Sequence, residues 1–272
     1  MIYHAIEPAL PLASFVETIF HLKDYKPEHA IERIVPDGSS NIVIELDGQR
    51  RWIADSETHV PVQYCEGQWL SGPHRNHFCI SALQNTELLA IRFRPGGLFP
   101  LLKTDIDSFA DNVVDAAELL NGGIRQLRDS LLQIGTSENK VRLVESWLNQ
   151  ECDCSLTPPP GIENAIHELQ SNSIQPELST LVESSGYSKK QFIHLFKKHV
   201  GLRPKDLQRI FRFSKALKQI QTGNNVKWVS VSADCGYSDQ SHLIRDFKLF
   251  SGFTPAELQN AGFDRENFFP VN

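Results

Sequence analysis

The chain has 272 residues, 40% of them hydrophobic and 22% charged, and a formal net charge of −6. That length holds two ordinary domains, each with its own core. No run approaches the ~20 apolar residues that a membrane span needs, the opening MIYHAIEPALPLASF lacks the basic leader of a signal peptide, and five irregularly spaced cysteines fit reduced thiols. A soluble, cytoplasmic protein is the expectation. The charge is uneven: residues 161–272 carry 14 Lys and Arg against 11 Asp and Glu, the remainder 13 against 22. An acidic portion joined to a mildly basic one suits a sensor tethered to a nucleic-acid binder.

Residues 8–22 (PALPLASFVETIFHL) open with a proline-rich turn and predict a short amphipathic helix or strand. In IERIVPDGSSNIVIEL two apolar segments flank Pro36-Asp37-Gly38, which is turn chemistry, and Asn41–Leu46 and Arg51–Ile53 predict strands. QWLSG, HFCISAL and LLAIRFRP add short strands between Gly, Pro and Asn signals, the spacing of a small β-barrel or sandwich. In the last of these, Ile91 and Phe93 alternate with Arg92 and Arg94, so one face is apolar and the other cationic. Arg92 and Arg94 are therefore candidates for an acidic effector. Equally, they are surface arginines or partners of Asp37, Glu45 or Asp47.

His74, His77 and Cys79 form H-x-x-H-x-C, which invites a metal reading. A zinc site needs three or four tetrahedral ligands, and adding His59 or Cys65 completes the set only by choice, so no metal and no cofactor is expected. Cys152-Asp-Cys154 is weaker still. No Ser/His/Asp or Cys/His constellation and no phosphate-cradling glycine motif stands out.

From Val113 the pattern turns helical. ADNVVDAAELLNG, IRQLRDSLLQIG and SENKVRLVESWLNQ each space apolar residues at i, i+3/i+4 between stops. Leu127, Leu131, Leu132, Val141, Val144 and Leu148 either form a dimer seam or cover the barrel. Residues 151–161 (ECDCSLTPPPG) read as a linker that three prolines hold extended. An amphipathic helix over 162–172 then opens the second domain, and beyond Leu258 a last helix and loosely held residues are expected.

Residues 178–255 contain one pattern twice. LSTLVESSGYSKKQFIHLFKKHVGLRP is answered by WVSVSADCGYSDQSHLIRDFKLFSGFTP, with equivalent residues fifty apart up to Gly-Tyr-Ser and fifty-one apart after it. In each copy a short apolar-faced helix ends at a glycine (Gly186, Gly236) suited to the left-handed C′ position. Ser188 with Gln191 then reads as a capping box opening a second helix. Helix, tight turn with glycine and second helix make the DNA-reading arrangement. Phe192, Leu195 and Phe196 point inward in the first copy, and Leu243, Phe247 and Phe250 in the second. Lys189, Lys190, Gln191 and His194, and Gln240, Ser241, His242 and Arg245, point out. Between Tyr187 and Lys218 lie ten basic residues and one acidic, Asp206. Such a run on the outward positions is the electrostatic footprint of phosphate neutralisation.

On these residues, 161–262 resemble the DNA-binding domain of the AraC/XylS family of transcription regulators, and GYSDQSHLIRDFKLFSGFTPAEL resembles the family's signature. The resemblance implies seven helices, with two helix-turn-helix units joined by a long helix at about Pro204–Gln221. It carries the base-facing positions onto Lys190, Ile193 and His194, and onto Gln240, Ser241, His242 and Arg245. A guanidinium such as that of Arg245 can bind guanine in a bidentate way. Ile193 departs from the polar residue often found there, and Asp239 reads as a cap. Lys190 and Lys197 are expected phosphate contacts. ERIVPDGSSNIVIEL, LSGPHRNHF and LLAIRFRPGG resemble an N-terminal domain of uncharacterised role found before AraC-type domains, which implies a cupin-like β-barrel.

The expectation is an α+β chain: a sensor β-domain over 1–120, a helical extension over 121–150, the linker over 151–161 and a DNA-binding domain over 162–272. It is expected to act as a homodimer on double-stranded promoter DNA, with RNA polymerase as a further partner and a small molecule as effector, either as activator or as repressor. The competing reading is a cupin-like metal-dependent enzyme with an accessory helical domain.

Overall fold

The computed structural model describes residues 1–171, 176–222, 228–261 and 267–271. Its strands are β1 (Ile2–Ile6), β2 (Val16–Tyr25), β3 (Ile31–Ile34), β4 (Ser40–Glu45), β5 (Arg51–Ala54), β6 (Pro61–Cys65), β7 (Gln68–Ser71), β8 (Phe78–Ser81), β9 (Thr86–Phe93), β10 (Val113–Asp115) and β11 (Phe268–Val271). They form two antiparallel sheets, ordered β1-β2-β9-β4-β7-β10 and β11-β3-β8-β5-β6. The period of two in β9 decides what lies on each side of the first sheet. Leu89, Ile91 and Phe93 are fully buried in a core shared with flanking helices, whereas Ala90 and Arg92 face the second sheet.

Helices α1 (Phe99–Leu102), α2 (Ala116–Leu119), α3 (Gly123–Gln133) and α4 (Ser137–Glu151) cover the outer face of that sheet. Leu127, Leu131, Val141, Val144 and Leu148 are all buried there, which leaves Leu132, at 43% exposure, as the exposed member of the six apolar side chains at issue. The same set therefore covers the sheet. Thr136 caps α4 by accepting from the Asn139 amide at 3.4 Å. No described helix is long and apolar enough to cross a membrane.

The second half holds seven helices among the described residues: α5 (Pro160–Ser171), α6 (Leu178–Ser185), α7 (Lys189–Val200), α8 (Pro204–Thr222), α9 (Trp228–Asp234), α10 (Gln240–Ser251) and α11 (Pro255–Ala261). Phe192, Phe196, Ile210, Phe213 and Phe247 are fully buried in their common core. The Phe213 and Phe247 rings meet edge to face at 4.8 Å, a favoured aromatic geometry.

Residues 8–22 form a 3-10 turn at Leu12–Ser14 and then the ten-residue β2, the strand of the two expected alternatives. Two local expectations fail. Val113–Asp115, expected to be helical, form β10 against β7, and three residues are too few to display an alternation. Phe268–Val271, expected to be loosely held, form β11 paired with β3. The expected loose tail also includes residues 262–266 and 272, which lie outside the described residues.

The two halves touch at several points. Lys197 Nζ lies 2.7 Å from Asp107 Oδ2 and Lys198 Nζ 3.8 Å from Asp105 Oδ1, both acids at the 3-10 turn Ile106–Phe109 of the N-terminal half. Gly38 (φ +85°) approaches α8 so closely that a Cβ there would stand 2.6 Å from Leu207 Cδ1. Arg33 of β3 donates to the Ser251 carbonyl at 2.8 Å and stands over the Phe253 ring.

Candidate nucleic-acid interface

The first unit is α6 and α7. Gly186, at φ +72°, ends α6 in the left-handed region that favours glycine. Ser188 Oγ accepts from the Gln191 amide at 3.3 Å and opens α7. With Phe192, Phe196 and Val200 buried, Lys189, Lys190, Gln191 and His194 stand exposed on one side, and Ile193 is half-buried beside them.

The second unit repeats this with one change. Gly236, at φ +75°, makes the turn. The extra residue moves the cap from serine to aspartate: the Asp239 carboxylate accepts from the His242 amide at 2.8 Å. That bond holds the Asp239 carboxyl below the usual carboxylate range. Gln240, Ser241 and Arg245 are exposed. His242 is half-buried and engaged inside the unit, with Nδ1 3.2 Å from Ser238 Oγ and its ring edge-on to Tyr237.

Much of the basic run is already partnered. Arg209 Nη2 lies 2.7 Å from Asp246 Oδ1 and Arg212 Nη2 3.5 Å from Asp246 Oδ2, with the aspartate only 1% exposed. Arg212 also stands over the Tyr237 ring at 4.7 Å, and Lys215 donates to the Asp234 carbonyl at 3.0 Å. Lys197 and Lys198 face Asp107 and Asp105. Counting cations along the sequence therefore overstates the charge offered to phosphate, and Lys189 and Lys190 are the basic residues exposed at the head of α7. Asp246 itself escaped the sequence reading. Its signal was present: it shares the inward stripe of α10 with Leu243, Phe247 and Phe250, where a charge needs a partner.

Residues 181–261 match a family described as a helix-turn-helix domain, and residues 4–115 match a domain of unknown function, DUF6597. Residues 181–261 are a helix-turn-helix domain of AraC type. A comparison with curated proteins finds no match. Among solved structures, ToxT from Vibrio cholerae O395 is similar at 11% identity and a TM-score of 0.47, over 88% of this chain and 97% of that one. The same protein bound to (E)-4-(8-methylnaphthalen-1-yl)but-3-enoic acid is similar at 9% identity and 0.48, over 88% and 98%. The xylose-binding transcription activator XylR is similar at 18% identity and 0.35, over 52% of this chain and 40% of that one.

The helix-turn-helix domain points to a DNA-binding transcription regulator rather than an enzyme. Among the described residues, no group of three or more His, Cys, Asp and Glu side chains is placed to hold a metal. His74 instead stacks on Phe78 at 4.3 Å and meets Ser71 Oγ at 3.0 Å, and burial pushes its pKa down to about 4, which keeps it neutral.

In front of the helix-turn-helix domain, the two sheets line a partly open cavity of about 130 Å³ with mostly apolar walls. Its charged groups are paired. Arg51 donates to both Glu45 oxygens, at 2.8 and 3.0 Å, and Trp69 Nε1 donates to the same carboxylate at 3.1 Å. Arg92 reaches the rim, where Glu17 accepts from its Nε at 2.8 Å and Asp37 from its Nη2. Burial opposes the charge on Asp37, but Arg92 and Ser39 outweigh it and hold its carboxyl below the usual range. Arg94 points away and donates to the Ala13 carbonyl at 3.0 Å.

Proposed function

We propose that this regulator reads promoter DNA through both helix-turn-helix units and answers to a small, largely apolar and uncharged molecule held between the sheets. The observation that carries the DNA part is the exposure of two matched polar faces. Lys190 and His194 stand exposed on α7 and Gln240 and Arg245 on α10, while Phe192, Phe196 and Val200, and Leu243, Phe247 and Phe250, bury the opposite sides of the two helices. The 19 residues of α8 join the units. At about 1.5 Å per residue that helix is roughly 28 Å long, near the ~34 Å that separates successive major grooves on one face of a duplex. Support for the ligand part comes from the cavity, whose apolar walls and internally paired charges leave little for a free carboxylate to recognise.

Lys190 is assigned to phosphate and Arg245 to a base edge. A salt titration of binding to duplex DNA tests the first assignment. Lys190→Ala is expected to weaken specific and random duplexes alike and to reduce the slope of log K against log salt by about 0.9. A slope identical to that of the unaltered chain would contradict it.

A further inference from the structure

Between the cavity and the DNA-binding half stands a two-stranded ribbon, β3 with β11, in the register Ile34↔Phe268 and Arg33↔Phe269. Successive side chains of a strand point to opposite faces, so the two faces of this ribbon serve different neighbours. Glu32, Ile34 and Phe268 line the cavity. Arg33 and Phe269 face the other way. Phe269 is fully buried in the core of the helical half, and Arg33 bonds the Ser251 carbonyl at the end of α10. The ribbon is also pinned from the rim, where the Val35 amide donates to the Asn267 carbonyl at 3.1 Å and Asn267 Nδ2 to Asp37 at 2.6 Å.

The cavity, about 130 Å³, is close to the ~150 Å³ that admits benzene and well below the ~300–1,000 Å³ of most small-molecule sites. It opens at a rim that includes Asp37, Arg92, Asn267 and Phe268, and an occupant larger than its volume presses on that rim and on the walls. The first sheet is backed by packed helices, whereas β11 is a four-residue strand at the end of its sheet, paired with β3 among the described residues.

We propose that the β3–β11 ribbon is the element through which an occupant of the cavity loosens the DNA-binding half from the sensor domain. This rests on the reading of the cavity as an effector site. Pressure on Phe268 and Ile34 displaces Phe269 and Arg33, the ribbon's hold on the core and on α10. The docked state engages Lys197 and Lys198 with Asp107 and Asp105, so loosening returns two cations to phosphate. DNA affinity then rises, and the salt dependence steepens by as much as about 1.8 for two contacts.

Ala90 lines the cavity on β9, in the sheet opposite the ribbon. Ala90→Phe thus installs an occupant without any ligand. In the full chain, it is expected to speed amide exchange at residues 268–271 and to raise affinity for a duplex enriched from random sequence about tenfold. The ribbon is locked independently by Ile31→Cys with Val271→Cys. These residues are register partners, and opposed Cα atoms of about 4.5–5.5 Å fall within disulfide reach. Oxidation of this pair in the Ala90→Phe chain is expected to restore the original affinity, and reduction to release it. An affinity gain that survives oxidation, or no gain in a folded Ala90→Phe chain, overturns the proposal. Arg33→Ala leaves the cavity walls alone and provides a second route: it too is expected to raise affinity about tenfold, and no change overturns the proposal. Calorimetry of the unaltered chain with benzene and naphthalene separates the two readings. Coupling by Ala90→Phe without uptake of either supports the ribbon and contradicts the effector site. Uptake without coupling overturns the ribbon and leaves the site.

Discussion

Asp246→Ala is expected to destabilise the DNA-binding half by about 3 kcal/mol, the lower end of the ~3–5 kcal/mol for breaking a buried ion pair. The aspartate is 1% exposed and sits between Arg209 and Arg212, whose side chains are 41% and 17% exposed. Without it, Arg209 rehydrates at small cost, but Arg212 keeps a half-buried charge against Tyr237 with no carboxylate near it. The loss therefore falls short of the full penalty for an orphaned buried charge. Asp246 also fixes how α10 sits on α8, so DNA binding should fall with stability. Asp246→Asn retains the volume and an acceptor for Arg209, and about half the loss is expected. Urea unfolding followed by circular dichroism measures both variants. Equal stability of Asp246→Ala and the unaltered chain would remove Asp246 from its positioning role.

Arg245→Ala is expected to act in the opposite manner, with stability unchanged and DNA recognition impaired. Arg245 is exposed on the outer face of α10 and its side chain supports none of the core. As a bidentate partner of guanine it is worth about 1–3 kcal/mol of discrimination. Binding to the preferred duplex should fall by roughly tenfold to a hundredfold, while random duplexes lose far less. Repeating the selection with the variant should show one base position relaxed and the others retained. A uniform loss across all sequences would reassign Arg245 to phosphate.

The DNA-binding half was legible because its pattern occurs twice. Gly186 and Gly236 marked turns that the backbone indeed makes at positive φ. Ser188 marked a cap that forms, and the one-residue offset between copies foretold a shift that hands the cap to Asp239. What stayed hidden was tertiary pairing. Asp246, Asp105 and Asp107 cancel arginines and lysines that sit close together in sequence, and proximity along the chain says nothing of a carboxylate arriving from another element.

In the first half, the longer strands announced themselves by alternation, as in β9, where the apolar Ile91 and Phe93 face the helices. Arg92 looked available for an acidic ligand, yet Glu17 and Asp37 already hold it. Asp37 was among the partners that the sequence offered, and Glu17 was not, because β2 had no defined register until it paired with β9. β11 was the least legible element. Its four residues, FFPV, contain a proline and too few positions for a pattern, and only their partner strand, more than 200 residues earlier, makes them a strand.

On the proposed reading, a single chain places two recognition helices in neighbouring major grooves. Hydroxyl-radical and methylation protection on a duplex selected by the unaltered chain tests it most directly. Two protected major-groove patches are expected on one face of the DNA, their centres about 10–10.5 base pairs apart, with Gln240→Ala and Arg245→Ala erasing only one of them. A single patch, or loss of both patches on altering α10 alone, would contradict it.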